Sequence, residues 1–237
     1  ADIPRLKEDV PANEHLTMQI ASQLFGIPTA ANAAIGFANG ELAYITRRFD
    51  RRGDMKLGQE DFCQLSNRTE ETAGRNYKYD GSYEEAGRIL KRYCKAYPVE
   101  VEKLFALVVF NYVFSNGDAH LKNFSLFESE FGDYVMTPAY DLICTSLHFP
   151  NEARTALDLF ETFESESFQQ NAFYKRPDFL KLAEIYGMNM VRAERCLGQF
   201  AKCKPAVVNL IDRSFLSQEA QTDYLARFHD RLRAIAD

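Results

Sequence analysis

Several features that would place this chain by composition alone are missing from it. No apolar run approaches the length of a membrane span; the longest, Leu104 to Tyr112, is short and carries one Asn. No secretory leader is expected from these residues. The five cysteines, at 63, 94, 144, 196 and 203, are odd in number and scattered, with no Cys-x-x-Cys pair. That argues against a zinc ribbon or a disulfide framework and suits core thiols in a reducing compartment. A basic excess is also lacking. The formal charge of −6 argues against broad nucleic-acid binding by this chain, which needs a basic surface. No internal repeat and no low-complexity tract is found. These absences read together as a cytoplasmic globular protein. The opening "ADIPRLKEDVPANEH" has no initiator Met and is Pro-rich and polar, so the sequence is expected to begin inside something longer.

What is present is an ordinary globular balance, 46% hydrophobic and 26% charged, over 237 residues. That length makes one large domain or two small lobes with a core needing no staples. Apolar residues at 16, 18, 20, 21, 24 and 25 predict a helix over 13–25, ended by Gly26 and Pro28. "AAIGFANGELAYITRRF" predicts two strands around a two-residue Asn39-Gly40 turn. Beyond Arg52 the chain turns polar and loop-rich, and a lobe boundary is expected there. The cluster "RRFDRR" (47–52) reads most simply as a solvated face beside a strand. Ser82 and Glu85 read as a capping box opening a helix with Tyr83, Ala86, Leu90, Tyr93 and Tyr97 on one face, closed by Pro98. Val99 to Phe114 is apolar over most of its circumference, as a central buried helix is. "FSLFESEFGDYVMT" predicts a short hairpin turning at "ESEFGD". Pro177 starts a later helix; Met190–Cys203, Pro205–Phe215 and Gln218–Ile235 are expected to follow, the last with a stripe at 224, 225, 228, 232 and 235.

The stretch "SNGDAHLKNFSLF" (115–127) stands out against this frame. It sets Asp118, His120, Lys122 and Asn123 between two pieces of hydrophobic core, and "PAYDLICTS" with Asp141 follows one hairpin later. Folding that hairpin brings both ends together. Two carboxylates and an amide there suit phosphoryl transfer, which asks for positioning, charge neutralisation and a carboxylate to accept a hydroxyl proton. An Asn oxygen and an Asp carboxylate suit Mg²⁺, which takes few hard oxygen ligands from protein. The bland alternative is that Asp118 and Asn123 are turn residues. The second acidic motif, a hairpin's length away, favours chemistry. His15, His148 and His229 show no ligand spacing, which argues against a zinc site built on Asp118 and His120.

The motifs "NGDAHLKNFSLF" and "YVMTPAYDLICTS" resemble the HipA-like serine/threonine kinases, toxin components of bacterial toxin–antitoxin modules. Their catalytic loop reads D-x-H-x-K-N-x-S, followed by P-x-Y-D. "YITRRFDRR" is similar to the family's strand and hinge ending in R-F-D-R, "GQEDFCQ" to the start of its helical lobe, and "ANEHLTMQIASQLFGI" to the helix before the hairpin. The resemblance covers most of 10–150. It implies an α+β, predominantly α, two-lobed protein-kinase-like fold. Residues 1–52 would form a partial N-lobe of loop, helix, hairpin and hinge, and 53–237 a helical C-lobe. It implies ATP and Mg²⁺ as cofactors. Asp118 would be the catalytic base in a loop shared with His120 and Lys122, and Asn123 and Asp141 the metal ligands. Adenine would meet the backbone near Arg47 and Phe49, and Glu14 would be the helix Glu that pairs with the nucleotide-binding Lys. Family members often carry an acidic residue where Arg47 stands. The implied partners are a translation-related protein substrate such as an aminoacyl-tRNA synthetase, and a helix-turn-helix antitoxin through which any DNA contact would be indirect.

The family's phosphate-binding loop and its Lys-bearing strand are not visible in these residues, and 1–12 looks like the mobile loop just after that strand. The chain by itself is therefore expected to bind ATP poorly and to be nearly inactive, with the missing part upstream or on another chain. Two other readings stay open. Aminoglycoside phosphotransferases use a similar G-D-x-H-x-x-N loop, though "RRFDRR" and "PAYDLICTS" favour the first reading. A non-catalytic interaction module would fit the missing Lys strand but has no need of Asp118, Asn123 and Asp141.

Overall fold

The computed structural model describes residues 3–236. The expected loop 1–12 loses Ala1 and Asp2 to that limit, and the expected C-lobe its last residue, Asp237. The fold is α+β and predominantly helical. Helix α1 (Val10–Phe25) comes first, with Pro11 in its first turn. The hairpin β1 (Asn32–Gly36) and β2 (Leu42–Thr46) and the small pair β3 (Arg51–Arg52) and β4 (Met55–Lys56) follow. Then come β5 (Gln59–Asp61) and the short helices α2 (Phe62–Leu65) and α3 (Glu70–Ala73), before the longer α4 (Tyr83–Tyr93) and α5 (Tyr97–Val113). Strands β6 (Ser125–Glu128) and β7 (Tyr134–Met136) precede α6 (Glu166–Asn171), α7 (Arg176–Ile185), α8 (Met190–Asp212) and α9 (Gln218–Ala236).

α5 is the axis of the core. Eleven of its residues are buried, from Glu100 to Val113, which is why its sequence shows no polar face. Phe114, just past its end, stacks on Phe228 of α9 at 5.2 Å and lies 4.4 Å from Phe110. Phe25, at the end of α1, stacks on Phe200 of α8 at 4.4 Å. These rings tie the first helix to the last two, and each well-placed pair adds about 0.5–1.5 kcal/mol beyond its buried area. α1 is fastened further by Thr17 Oγ1 to Tyr224 Oη (2.9 Å) and by Gln199 donating to Leu24 O (2.9 Å). Ahead of α1 the chain is anchored rather than loose. Arg5 pairs with Glu219 and Asp223 on α9, and Asp9 accepts from the backbone and hydroxyl of Ser217.

Several local expectations are corrected. The β1–β2 connection is a three-residue loop, Ala38–Gly40, closed by Phe37 N donating to Glu41 O (2.8 Å). Only Gly40 takes positive φ (88°); Asn39 does not, so the two-residue mirror turn is absent. Ser82 does cap α4, accepting from Glu85 N at 3.0 Å, but Glu85 gives its carboxylate to Arg68 instead of completing the box. Pro98 does not close α4, which ends at Tyr93; it sits in the first turn of α5, where its missing N–H costs no bond. The two helices expected around Pro205 are one, α8. Pro205 and Ala201, whose carbonyl loses its partner, both lie on the exposed face, where water can serve that carbonyl. The hairpin β6–β7 carries a third antiparallel strand, β5, with Asp61 opposite Ser125. Among the described residues no helix is long and apolar enough to cross a membrane.

Candidate active site

At the end of α5 the chain turns sharply through Ser115, which holds a left-handed φ of 54°. Asn116 then acts as a hub. Its N–H donates to Asn111 O (2.9 Å). Its amide donates to Asn111 Oδ1 (2.9 Å) and Asp141 O (3.3 Å), and its Oδ1 accepts from Asp118 N (3.2 Å). One side chain thereby joins the end of the buried helix to both Asp118 and Asp141. Gly117 admits no side chain: a Cβ would lie 2.7 Å from Ala153 O and from the Glu152 carboxyl.

A single 3-10 turn, Leu121–Asn123, leads into β6. Asn123 Oδ1 accepts from His120 N (3.0 Å), and its amide nitrogen donates to Asp141 Oδ2 at 2.7 Å. Tyr140 closes the hairpin's base, its hydroxyl donating to Lys122 O (2.7 Å) and meeting Ser125 Oγ at 2.5 Å. Asp141 holds a left-handed φ of 59°, a conformation that Asp tolerates better than most residues. From the other side Asn13 clamps the chain beyond Asp141, its amide donating to Cys144 O (3.0 Å) and accepting from Cys144 N (3.1 Å). The clamp sets its neighbour Glu14 beside Asp141. Burial, and then the Asp141 charge, push the Glu14 carboxyl up to about 7. Among the described residues no Lys or Arg pairs with it.

Thr145 braces the loop from below. It accepts from Gly117 N at 2.7 Å and donates to Glu152 Oε1 at 2.5 Å. Glu152 is also raised to about 7, by burial first and with Asp118 adding to it. Burial, helped by the Lys78 charge, lowers His120, so its ring is neutral at neutral pH. Lys122 extends toward Tyr77, donating to its hydroxyl at 3.2 Å, and that bond raises its pKa. The Asp118 carboxylate is 45% exposed and accepts from the Tyr79 hydroxyl.

Arg47 and Phe49 line a cavity with Tyr140, at the base of the β6–β7 hairpin. Phe49 stacks on Tyr140 at 5.8 Å, and with Ala30 and Arg47 these rings line a cavity of about 170 Å³. It shares Arg48, Asp50, Gln59 and Tyr140 with a polar cavity of about 390 Å³ that reaches Lys122 and Ser125. Asp118, His120, Lys122, Asn123, Asp141 and Glu14 thus gather around one loop, and Arg47 and Phe49 line the cleft beside it. Asn116, Tyr140, Asn13, Glu152 and Tyr79 were not singled out from the sequence. Asn116 and Tyr140 sit inside the two motifs and were open to notice; the others are brought in by tertiary contacts alone.

The donor set can be tested against Mg²⁺. Asp141 Oδ1 takes no hydrogen bond among the described residues, Asn123 Oδ1 has one lone pair left, and the Asp118 carboxylate is open to solvent. Hard oxygens and no thiolate or imidazole suit Mg²⁺. No group of three His, Cys, Asp or Glu side chains is assembled among the described residues, so a metal here would need ligand oxygens from outside the protein.

The HipA-like C-terminal domain family matches residues 3–208. A Haemophilus influenzae protein that carries a kinase name is 25% identical over 93% of this chain and 68% of its own length. The kinase-named Y4dM of Sinorhizobium fredii is 30% identical over 65% of the chain and 38% of its own. Among solved structures, the HipA of a Shewanella oneidensis complex of HipA, HipB and operator DNA superposes with a TM-score of 0.75 and 22% identity, over 97% of this chain and 57% of that one. The Helicobacter pylori proinflammatory kinase CtkA gives 0.62 and 13%, over 94% and 82%. Both structures share the fold. With the loop after α5, the β6–β7 hairpin and the helices up to most of α8 inside the matched span, the chain belongs to the HipA-like C-terminal domain family.

Proposed function

We propose that this chain is the catalytic part of an ATP- and Mg²⁺-dependent protein serine/threonine kinase of the HipA type. The observation that carries the reading is the bond from the Asn123 amide to the Asp141 carboxylate, at 2.7 Å, with Asp118 joined to the same network through Asn116. Asp118 receives the proton of the acceptor hydroxyl; its exposure leaves it open to a macromolecular acceptor. Asn123 and Asp141 would hold the metal, and the bond between them fixes both carbonyl and carboxylate oxygens before it arrives. Bound Mg²⁺-ATP supplies the phosphoryl group and the cation that neutralises its charge. Adenine would lie against Ala30, Phe49 and Tyr140, which line one cavity. Arg47 spends its N–H on Ala31 O (2.7 Å), so its carbonyl and the Phe49 N–H are the groups left to meet the ring. Glu14 is ready for a cation, since a buried carboxylate without a partner is costly.

The partners proposed are a protein substrate of the translation machinery, such as an aminoacyl-tRNA synthetase, and a HipB-type helix-turn-helix antitoxin. The charge of −6 supports indirect contact with DNA. The test is a pair of substitutions in the intact protein that carries this chain. Asp118→Asn is expected to slow phosphoryl transfer by about 10²–10⁴-fold while leaving Mg²⁺-ATP binding in place. Asp141→Asn is expected to weaken the Mg²⁺-dependent part of nucleotide binding, read by titration with and without the metal. Full turnover in the first, or unchanged metal dependence in the second, removes the corresponding role.

A further inference from the structure

Three consecutive residues of the connection between α3 and α4 lie directly on the catalytic loop. Tyr77 Oη takes the hydrogen bond of Lys122 Nζ, which also lies 5.7 Å from the Tyr77 ring centre. Lys78 Nζ stands 4.0 Å from Asp118 Oδ1 and 4.8 Å over the Tyr79 ring. Tyr79 donates its phenolic hydrogen to Asp118 Oδ1, and its ring meets the His120 ring edge-on at 5.2 Å. Asp118, His120 and Lys122 therefore each have a partner in this strap, and nothing in the chemistry proposed for them requires one.

The strap is fixed at its foot and partly exposed ahead of it. At the foot a Cβ on Gly81 would lie 3.0 Å from Leu121 Cδ1 and 2.7 Å from Glu85 Oε2, so the backbone is pressed against the catalytic turn. Tyr79 is 37% exposed, and the Asp80 carboxylate stands 3.8 Å from Arg68. Gly74, at the strap's upstream end, holds a positive φ of 75°.

A carboxylate that takes a proton from an acceptor hydroxyl must first accept that hydroxyl's hydrogen bond. Asp118 already accepts one from a hydroxyl. Burial, and then the bond to Asp118, raise Tyr79 above the ordinary tyrosine value, so its phenol stays a donor. We propose that Tyr79 holds the place of the acceptor hydroxyl at Asp118, and that Tyr77–Asp80 form the wall of the acceptor subsite, which an incoming substrate displaces before its own hydroxyl reaches the carboxylate. This rests on the assignment of Asp118 as the base. The Tyr79 hydroxyl thereby occupies Asp118 Oδ1 until an acceptor competes for it, while the rest of the carboxylate stays exposed.

The test uses the intact protein that carries this chain, as wild type, Tyr79→Phe and Asp118→Asn. Phe keeps the ring and its contact with His120 and removes only the donor. Two readouts are taken: Mg²⁺-ATP turnover with water as acceptor, and backbone amide exchange over 74–81. Tyr79→Phe is expected to raise turnover about fivefold, the scale of one partly exposed hydrogen bond to a charged group, with the KM for ATP unchanged. Exchange over 74–81 is expected to quicken most in Tyr79→Phe, which removes the donor, and less in Asp118→Asn, which keeps an acceptor oxygen but loses its charge. A lower kcat in Tyr79→Phe would make Tyr79 a residue that orients Asp118, and overturn the proposal. So would phosphate found on Tyr79 after incubation with Mg²⁺-ATP, which would make it an acceptor. Equal exchange in all three proteins overturns it whatever the activity. Undiminished turnover in Asp118→Asn strikes the base assignment instead, and leaves the exchange result to judge the contact alone.

Discussion

The β1–β2 hairpin and the loop after α5 hold their side chains in opposite ways. On the hairpin Ile35, Phe37 and Ile45 are 47%, 57% and 48% exposed, and its two strands pair with no other strand among the described residues. In the loop the polar residues Asn116, His120 and Asn123 are buried and tied by hydrogen bonds to Asn111, to Asp141 and, for the last two, to each other, while buried Ser115 accepts from Arg231. Apolar groups face water in one region and polar groups are packed inside in the other. The difference separates two tasks. The loop's geometry is set by its own bonds and by the helices beneath it, so the groups proposed for catalysis are held from the helical side. The hairpin forms one wall of the proposed nucleotide cleft, and little beyond α1 stiffens it.

Core and hairpin should respond very differently to the loss of one ring. Phe114→Ala removes a fully buried ring from the cluster joining α5, α8 and α9, and is expected to cost about 3–5 kcal/mol in chemical denaturation. Phe37→Ser, at a more exposed ring, is expected to stay within about 0.5 kcal/mol. Comparable losses at the two sites would mean that the hairpin is as integral as the core.

Gly117→Ala sharpens the loop's side of the contrast. The new methyl meets Ala153 O and Glu152 at 2.7 Å, and a carbonyl of the backbone cannot rotate away, so the loop must shift. A cost of about 1–3 kcal/mol is expected, together with a fall in turnover larger than that stability loss explains. A variant as stable and as active as the parent would show the loop to be more compliant than its hydrogen bonds suggest.

A smaller effect than those at Phe114 and Gly117 concerns Glu14. Its folded pKa of about 7 lies above the ordinary glutamate value, so the folded state holds the proton more tightly. The stability from this group is complete below about pH 4.5, where both states are protonated. It falls as pH rises through 7 and is level above that. Glu14→Gln should match the parent at pH 4.5 and exceed it by about 1–2 kcal/mol at pH 8, after allowing for partial exposure. Glu152, with a similar value, should leave part of the parent's slope in place. A parallel pH profile in the two proteins would mean that Glu14 already has a cationic partner in solution.

The sequence was most readable where periodicity and motif agreed. α5, α7 and α9 could be read from apolar spacing and from Pro177, and the loop and Asp141 from a hairpin-sized interval. Prolines misled twice for one reason. Pro98 was read as a stop and Pro205 as the start of a separate helix, yet a proline suits a first turn and is tolerated on a solvent-facing side, and position in a helix cannot be told from residue type. β5 went unseen because three residues carry no alternation, and only pairing with β6 makes them a strand. The contact from Tyr79 to Asp118 spans 39 residues and the Asn13 clamp 131; both depend on packing that no local pattern encodes.

The clamp at Asn13 bears on how such a protein can be switched. Protein kinases are commonly regulated by the position of the helix that carries the conserved Glu. In the function proposed above Glu14 takes that place, and α1 is bolted at three levels: Asn13 to Cys144, Thr17 to Tyr224, and Leu24 to Gln199 and Cys203. Swinging Glu14 away from Asp141 would break buried bonds along the whole helix. Such an excursion belongs with sub-global unfolding, rare and slow, and not with the microsecond hinge motions that serve as signals. An on–off lever in this fold would have to lie outside α1, in parts that move without dismantling the core.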